Sequence, residues 1–150
     1  MKSGSAMLKL GHALIEKIQE HGTRDYPHEC CGALLGREDG EDRTVLGIMP
    51  LENRRKDTPQ NRFSIGAEDV ILAEKEAAAQ GWNLIGWYHS HPDSPAHPSE
   101  YDRDYAWPWY SYIIFQVEKT EPREMRSWRL GDDRAGFAEE AIEFISSVPR

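Results

Sequence analysis

Two hydrophobic periods alternate along the chain. Leu10, Ala13, Leu14, Lys17 and Ile18 fall at helical spacings in KLGHALIEKIQEHG, which predicts a helix from Lys9 that stops at Gly22. GAEDVILAEKEAAAQ predicts a second helix over Gly66 to Gln80. Its stripe is Val70, Ile71, Glu74, Ala77 and Ala78, Ser64 lies in capping range, Glu68 and Asp69 suit its positive end, and Gly81 ends it. Short apolar runs predict strands from Ala33 to Gly36, Thr44 to Leu51, along NLIGWY, Tyr112 to Val117 and Met125 to Leu130. Phe137, Ile142 and Ile145 suggest a C-terminal helix. These elements describe an α/β chain with a mixed sheet and helices on both sides. The segment from TVLGIMPL through the second helix to NLIGWY is a strand–helix–strand unit suited to a parallel crossover, but the pattern does not give the strand order.

Length and charge narrow the class. At 150 residues the chain is one domain's worth, residues 1–150, and it can bury a core without disulfide staples. Its two cysteines, Cys30 and Cys31, are adjacent, which suits neither a secreted framework nor a CxxC half-site. No apolar run approaches the roughly 20 residues of a membrane span, and MKSGSAMLKL lacks the apolar core of a signal peptide. The expectation is a soluble cytoplasmic protein without membrane contact. A net charge of −8 argues against nucleic-acid binding. Arg54, Arg55, Lys56 and Arg62 nevertheless form a basic loop, either a solvated surface or a docking site for an acidic partner.

The chemistry concentrates in WYHSHPDSPAHPSEYD, Trp87 to Asp102. Residues two apart on a strand share a face, so Ile85, Trp87, His89 and His91 point one way and Gly86, Tyr88 and Ser90 the other. Pro92 stops the strand, and a loop with three prolines, Pro92, Pro95 and Pro98, runs to a helix opened by Ser99. Ser99 and Asp102 read either as an imperfect capping box or as the place where the chain returns a carboxylate to the two imidazoles. Two histidines and a carboxylate suit zinc with a water as fourth ligand, and they suit iron as well. Asp104 is an alternative carboxylate, Trp107 and Trp109 either form a cleft wall or close the core's edge, and Pro108 ends the helix. His12 and His21 lie in the first helix and read as ordinary surface or flank residues rather than as extra metal ligands. Glu29 alone reads as a solvated loop acid, but a hydrolytic metal site needs a proton carrier, and on chemistry alone Glu29 and His28 compete for that role. Cys30 and Cys31 read as packed small residues.

The run HSHPDSPAHPSEYD resembles the metal motif of the JAMM, or MPN-plus, family: His, any residue, His, seven residues, Ser, two residues, Asp. His89, His91, Ser99 and Asp102 match it without gap or substitution, and the resemblance extends from about Leu10 to Val117, nearest the short bacterial members. It implies a JAMM/MPN domain with a cytidine-deaminase-like α/β/α arrangement. It also implies Zn2+ held by His89, His91 and Asp102, Glu29 as general base, and Ser99 as stabiliser of the oxyanion. The implied reaction is hydrolysis of a peptide or isopeptide bond after the C-terminal Gly-Gly of a ubiquitin-like sulfur-carrier protein.

Three other readings remain. A nucleobase deaminase would show HxE and PCxxC, whereas this chain has HxH and contiguous upstream cysteines. A broader metal-dependent endopeptidase shares the site. A noncatalytic protein-binding module usually lacks one or more ligands, and here all are present.

Overall fold

The protein was studied as a computed structural model, which describes residues 6–52 and 65–146. The basic loop, with Arg54, Arg55, Lys56 and Arg62, and the candidate cap Ser64 lie outside the described residues. In chain order the elements are β1 (Met7–Gly11), α1 (His12–Asp25), β2 (Cys31–Asp39), β3 (Asp42–Leu51) and α2 (Ala67–Gln80). They continue with β4 (Asn83–Pro92), α3 (Glu100–Tyr105), β5 (Ser111–Glu118), β6 (Glu121–Leu130) and β7 (Phe137–Ile145). No described helix is long and apolar enough to cross a membrane.

The strands form one mixed sheet in the order β1-β3-β2-β4-β5-β6-β7, and β7 pairs with β1 to close it. β2 is antiparallel to both β3 and β4, so β3 and β4 run the same way. The expected crossover through α2 is therefore parallel, but it steps over β2 rather than joining neighbours. β4, the histidine-bearing strand, lies between an antiparallel β2 and a parallel β5.

The two sheet faces carry different helices. Leu14, Ile15 and Ile18 of α1 pack with Leu8, Leu34, Ile85, Tyr88, Ile113 and Phe115. Ala73 and Ala77 of α2 pack with Ala33, Leu35, Leu84, Trp87 and Tyr112. Each fully buried Leu or Ile contributes about 2 kcal/mol. This is the α/β/α arrangement, with the sheet curled until its ends meet.

Four local expectations are corrected. The first helix begins at His12, because MLKLG is a short strand whose Leu8 and Leu10 share a buried face, and Leu10 fits either period. Gly22 does not end α1. It is a close-packing point, where a Cβ would fall 2.5 Å from Cε2 of Phe115, and the helix runs on to Asp25. Phe137, Ile142 and Ile145 lie on a strand, not on a C-terminal helix. The spacing of three is helical and that of five fits neither period, so local pattern does not settle the element and pairing decides: β7 satisfies the open edges of β6 and β1 together. Last, the buried side of α2 is Asp69, Ala73 and Ala77, while Ile71 faces solvent. Gly66 caps that helix, its N–H donating to the Asp69 carboxylate at 2.9 Å, and Gly81 ends it in the left-handed region, φ 77°.

Candidate metal centre and active site

The strand that carries the histidines is not uniformly alternating. Leu34 pairs with Gly86 but Leu35 with Leu84, which leaves Ile85 as an extra residue on β4. Ile85 consequently packs with Tyr88 against α1, on the opposite face from Trp87. Beyond this bulge the period of two holds, and Trp87, His89 and His91 share a face as expected. His89 lies opposite Cys31 of β2 and Ile114 of β5, which leaves it 1% exposed.

The proline-bearing loop is tied to the sheet before it reaches α3. Asp93, with φ 55°, donates its N–H to Val117 (2.7 Å) and accepts from Tyr26 Oη–H (2.5 Å) and Lys119 N–H (2.8 Å). Trp128 Nε1–H donates to the Ala96 carbonyl (3.1 Å). Ser99 is the N-cap: its Oγ accepts the Asp102 N–H (3.1 Å), and Asp102 Oδ2 accepts the Ser99 N–H (2.9 Å). The two readings of Asp102 are thus both true, because the oxygen that closes the box also faces the histidines. Asp102 Oδ2 lies 3.1 Å from His91 Nε2 and 3.3 Å from His89 Nε2, and the two Nε2 atoms are 3.2 Å apart. Four ligands at about 2.0 Å around a tetrahedral ion are separated by about 3.3 Å. The triangle therefore matches one face of such a site.

Protonation states fit as well. His91 Nδ1 lies 2.8 Å from the Pro95 carbonyl, so Nδ1 carries the proton that bond requires and Nε2 keeps its lone pair for a metal. Burial lowers the His89 pKa more than the nearby Asp102 carboxylate raises it, which favours the neutral imidazole. Among the described residues, His89, His91 and Asp102 form the one such cluster able to hold a metal ion.

Glu29 reaches this centre through main-chain pairing. Cys30 N–H donates to Ser90 Oγ (2.9 Å), and Ser90 N–H donates to the Cys30 carbonyl (3.1 Å). This fixes the residue before Cys30 beside the end of β4. Glu29 is 4% exposed and shares a cavity of about 460 Å³ with His91 and Ser99, whereas His28 is exposed. A second cavity, of about 420 Å³, opens on the other members of the cluster, His89 and Asp102, and is walled by Tyr101, Tyr105, Trp107 and Phe137. Asp104 lines this second cavity without joining the cluster. Trp107 is a cleft wall, but Trp109 is not: it stacks on Arg43, whose guanidinium carbon sits 4.0 Å from the ring centre.

Residues 12–131 match the family described as prokaryotic homologs of the JAB domain. The chain belongs to that family. It is 32% identical over 133 residues to the CysO-cysteine peptidase of Mycobacterium tuberculosis, spanning 88% of this chain and 87% of the relative. It is 33% identical over 103 residues to the desampylase of Haloferax volcanii, spanning 68% and 72%. The solution structure of a protein from Desulfitobacterium hafniense superposes with a TM-score of 0.83 at 34% identity over 95% of each chain. With the His89–His91–Asp102 triad in place, this prokaryotic JAB-domain protein is a metal-dependent hydrolase of the JAMM/MPN type.

Three further side chains that could carry chemistry, Cys30, Cys31 and His21, are buried in the fold. Cys30 and Cys31 are fully buried, and burial pushes the Cys30 thiol up to about 12, which rules it out as a thiolate nucleophile at neutral pH. His12 is exposed as expected, but His21 is not a surface residue. Its Nδ1 lies 2.7 Å from Tyr88 Oη and its Nε2 3.3 Å from Asp25, a pairing made by a neutral imidazole that accepts from Tyr88 and donates to Asp25. The sequence offered no signal for this, because the partner lies 67 residues away.

Burial lowers the His21 pKa from 6.5 more than Asp25 raises it. Above pH 6.5 this neutral histidine contributes its full stability. As pH falls below that value the unfolded chain takes up the proton first, and stability is lost down to the lowered folded value. Metal-free wild type is therefore expected to lose more melting temperature than metal-free His21→Asn between about pH 7 and about pH 5.5. Parallel pH profiles in the two proteins would contradict the assignment.

Proposed function

We propose that this protein is a zinc peptidase that hydrolyses the amide bond following the C-terminal Gly-Gly of a ubiquitin-like sulfur-carrier protein. The observation that carries this reading is a ligand set open on two sides: Glu29 and Ser99 share one cavity with His91, and an aromatic cavity meets His89 and Asp102. The donor set of two imidazole nitrogens and one carboxylate oxygen, with a tetrahedral edge length, favours zinc. The relatives named CysO-cysteine peptidase and probable TtuB-protein conjugate cleaving protease support a protein conjugate as substrate.

His89, His91 and Asp102 would hold the zinc, which would supply a coordinated water with a pKa lowered to about 7 and polarisation of the scissile carbonyl. Glu29 takes the proton of the attacking water and returns it to the leaving amine, so that amine faces the cavity shared by Glu29, His91 and Ser99. Ser99 Oγ already accepts the Asp102 N–H, which leaves the hydroxyl proton to donate to the carbonyl oxygen as charge develops there. The aromatic cavity receives the acyl side, where an extended tail ending in glycines can approach a buried metal without a side-chain clash. Trp107→Ala is expected to raise KM by about fivefold with little change in kcat, as loss of one aromatic contact worth ~1 kcal/mol would do. A fall in kcat at constant KM would move Trp107 out of substrate binding.

Mass spectrometry of sulfur carriers extended beyond Gly-Gly tests the substrate assignment. Wild type should cut immediately after the second glycine, and metal-free and Glu29→Gln protein should not. Cleavage only at unrelated internal bonds would favour a broad endopeptidase, and no cleavage of any carrier or peptide would favour a binding module.

A further inference from the structure

The helix that presents Asp102 is too short to hold itself. α3 has six residues, and a helix of that length is unstable alone because most of its backbone groups have no partner within it. Its N-terminal end is closed by the Ser99–Asp102 box. Its C-terminal end is closed from elsewhere: Arg134 Nη1–H donates to the Ala106 carbonyl at 2.6 Å, and Nη2–H donates to the carbonyls of Arg103 and Asp104, both at 3.1 Å. The cation also faces the negative end of the helix. Arg134 is itself braced in the β6–β7 connection, with φ 60°, its N–H on the Gly131 carbonyl (2.9 Å), and Gly131 N–H on the Gly136 carbonyl (3.0 Å).

We infer that Arg134 is a positioning residue for the metal centre. Through three main-chain bonds it sets where α3 lies against β4, and so holds the Asp102 carboxylate and the Ser99 hydroxyl in register with His89 and His91. None of these three bonds is to a ligand. The planar fork reaches three carbonyls at once, which a lysine ammonium cannot reproduce. The inference rests on the zinc reading above; should that reading fail, wild type itself would not hold zinc.

Arg134 also lines the aromatic cavity, so the test must separate positioning from substrate contact. The zinc dissociation constant is measured by chelator competition, without substrate, for wild type, Arg134→Ala, Arg134→Lys and Trp107→Ala. Amide hydrogen exchange is followed over residues 99–106. Arg134→Ala should weaken zinc binding by roughly tenfold or more, as loss of an outer partner of a metal site does. Arg134→Lys should recover only part of that. Exchange should quicken over 99–106 and not in β4 or β5, and Trp107→Ala should bind zinc like wild type. Zinc affinity within about twofold of wild type in both Arg134 variants would overturn the inference, and a raised KM alone would make Arg134 a substrate contact. If Arg134→Ala does not fold, Arg134→Lys decides, and failure of both to fold without metal would make Arg134 a residue of general stability.

Discussion

Glu29→Gln is expected to bind one zinc per chain as tightly as wild type and to turn over on the order of 10²–10⁴-fold more slowly. That is the usual contribution of a general acid–base residue. The amide keeps the size of the carboxylate but cannot carry a proton between water and leaving amine. Glu29 lies in the cavity shared with His91 and Ser99 and is not a member of the ligand cluster, so the substitution leaves the ligands alone. Turnover and zinc content must be read on the same preparation. Full turnover at matched zinc content would remove Glu29 as the base and return attention to His28, which is exposed.

Substitution of Asp102 should have the largest effect on the metal, and two variants divide its two jobs. Asp102→Ala removes the ligand and also leaves the Ser99 N–H without its acceptor, adding a stability loss of about 1 kcal/mol. Asp102→Asn keeps an oxygen for that N–H but loses the anionic donor. Both variants should lose zinc and activity, and only Asp102→Ala should also lose melting temperature relative to metal-free wild type. Asp104→Asn should retain zinc, because Asp104 lines the aromatic cavity and stands outside the cluster. One tightly held zinc in Asp102→Asn would remove Asp102 from the ligand set.

The centre was legible because its ligands are local. The ligands His89, His91 and Asp102, with the cap residue Ser99, lie in one stretch, where a strand period, prolines and a helix cap mark the geometry in sequence, although contacts from Val117, Trp128 and Arg134 hold it in place. Glu29 was not legible in its own segment. It is brought in by the Cys30–Ser90 pair, which spans 60 residues, and only the family resemblance singled it out. Pro95 and Arg134 act through a carbonyl and on carbonyls, for which side-chain identity offers little signal. The fold failed to read where pairing outweighs local period. β7 is a strand because two edges needed a partner, and Ile85 changes face because β4 carries an extra residue against β2. Gly22 resembles a helix stop in sequence, but it is a glycine because Phe115 occupies the space of a side chain.

A zinc titration of metal-free protein, followed by hydrolysis of a carrier conjugate, tests the central claim most directly. Activity should be absent at the start, rise linearly, and reach its plateau at one zinc per chain, with Asp102→Asn flat throughout. Hydrolysis by the metal-free protein, or equal activity in Asp102→Asn at the same zinc concentrations, would contradict it.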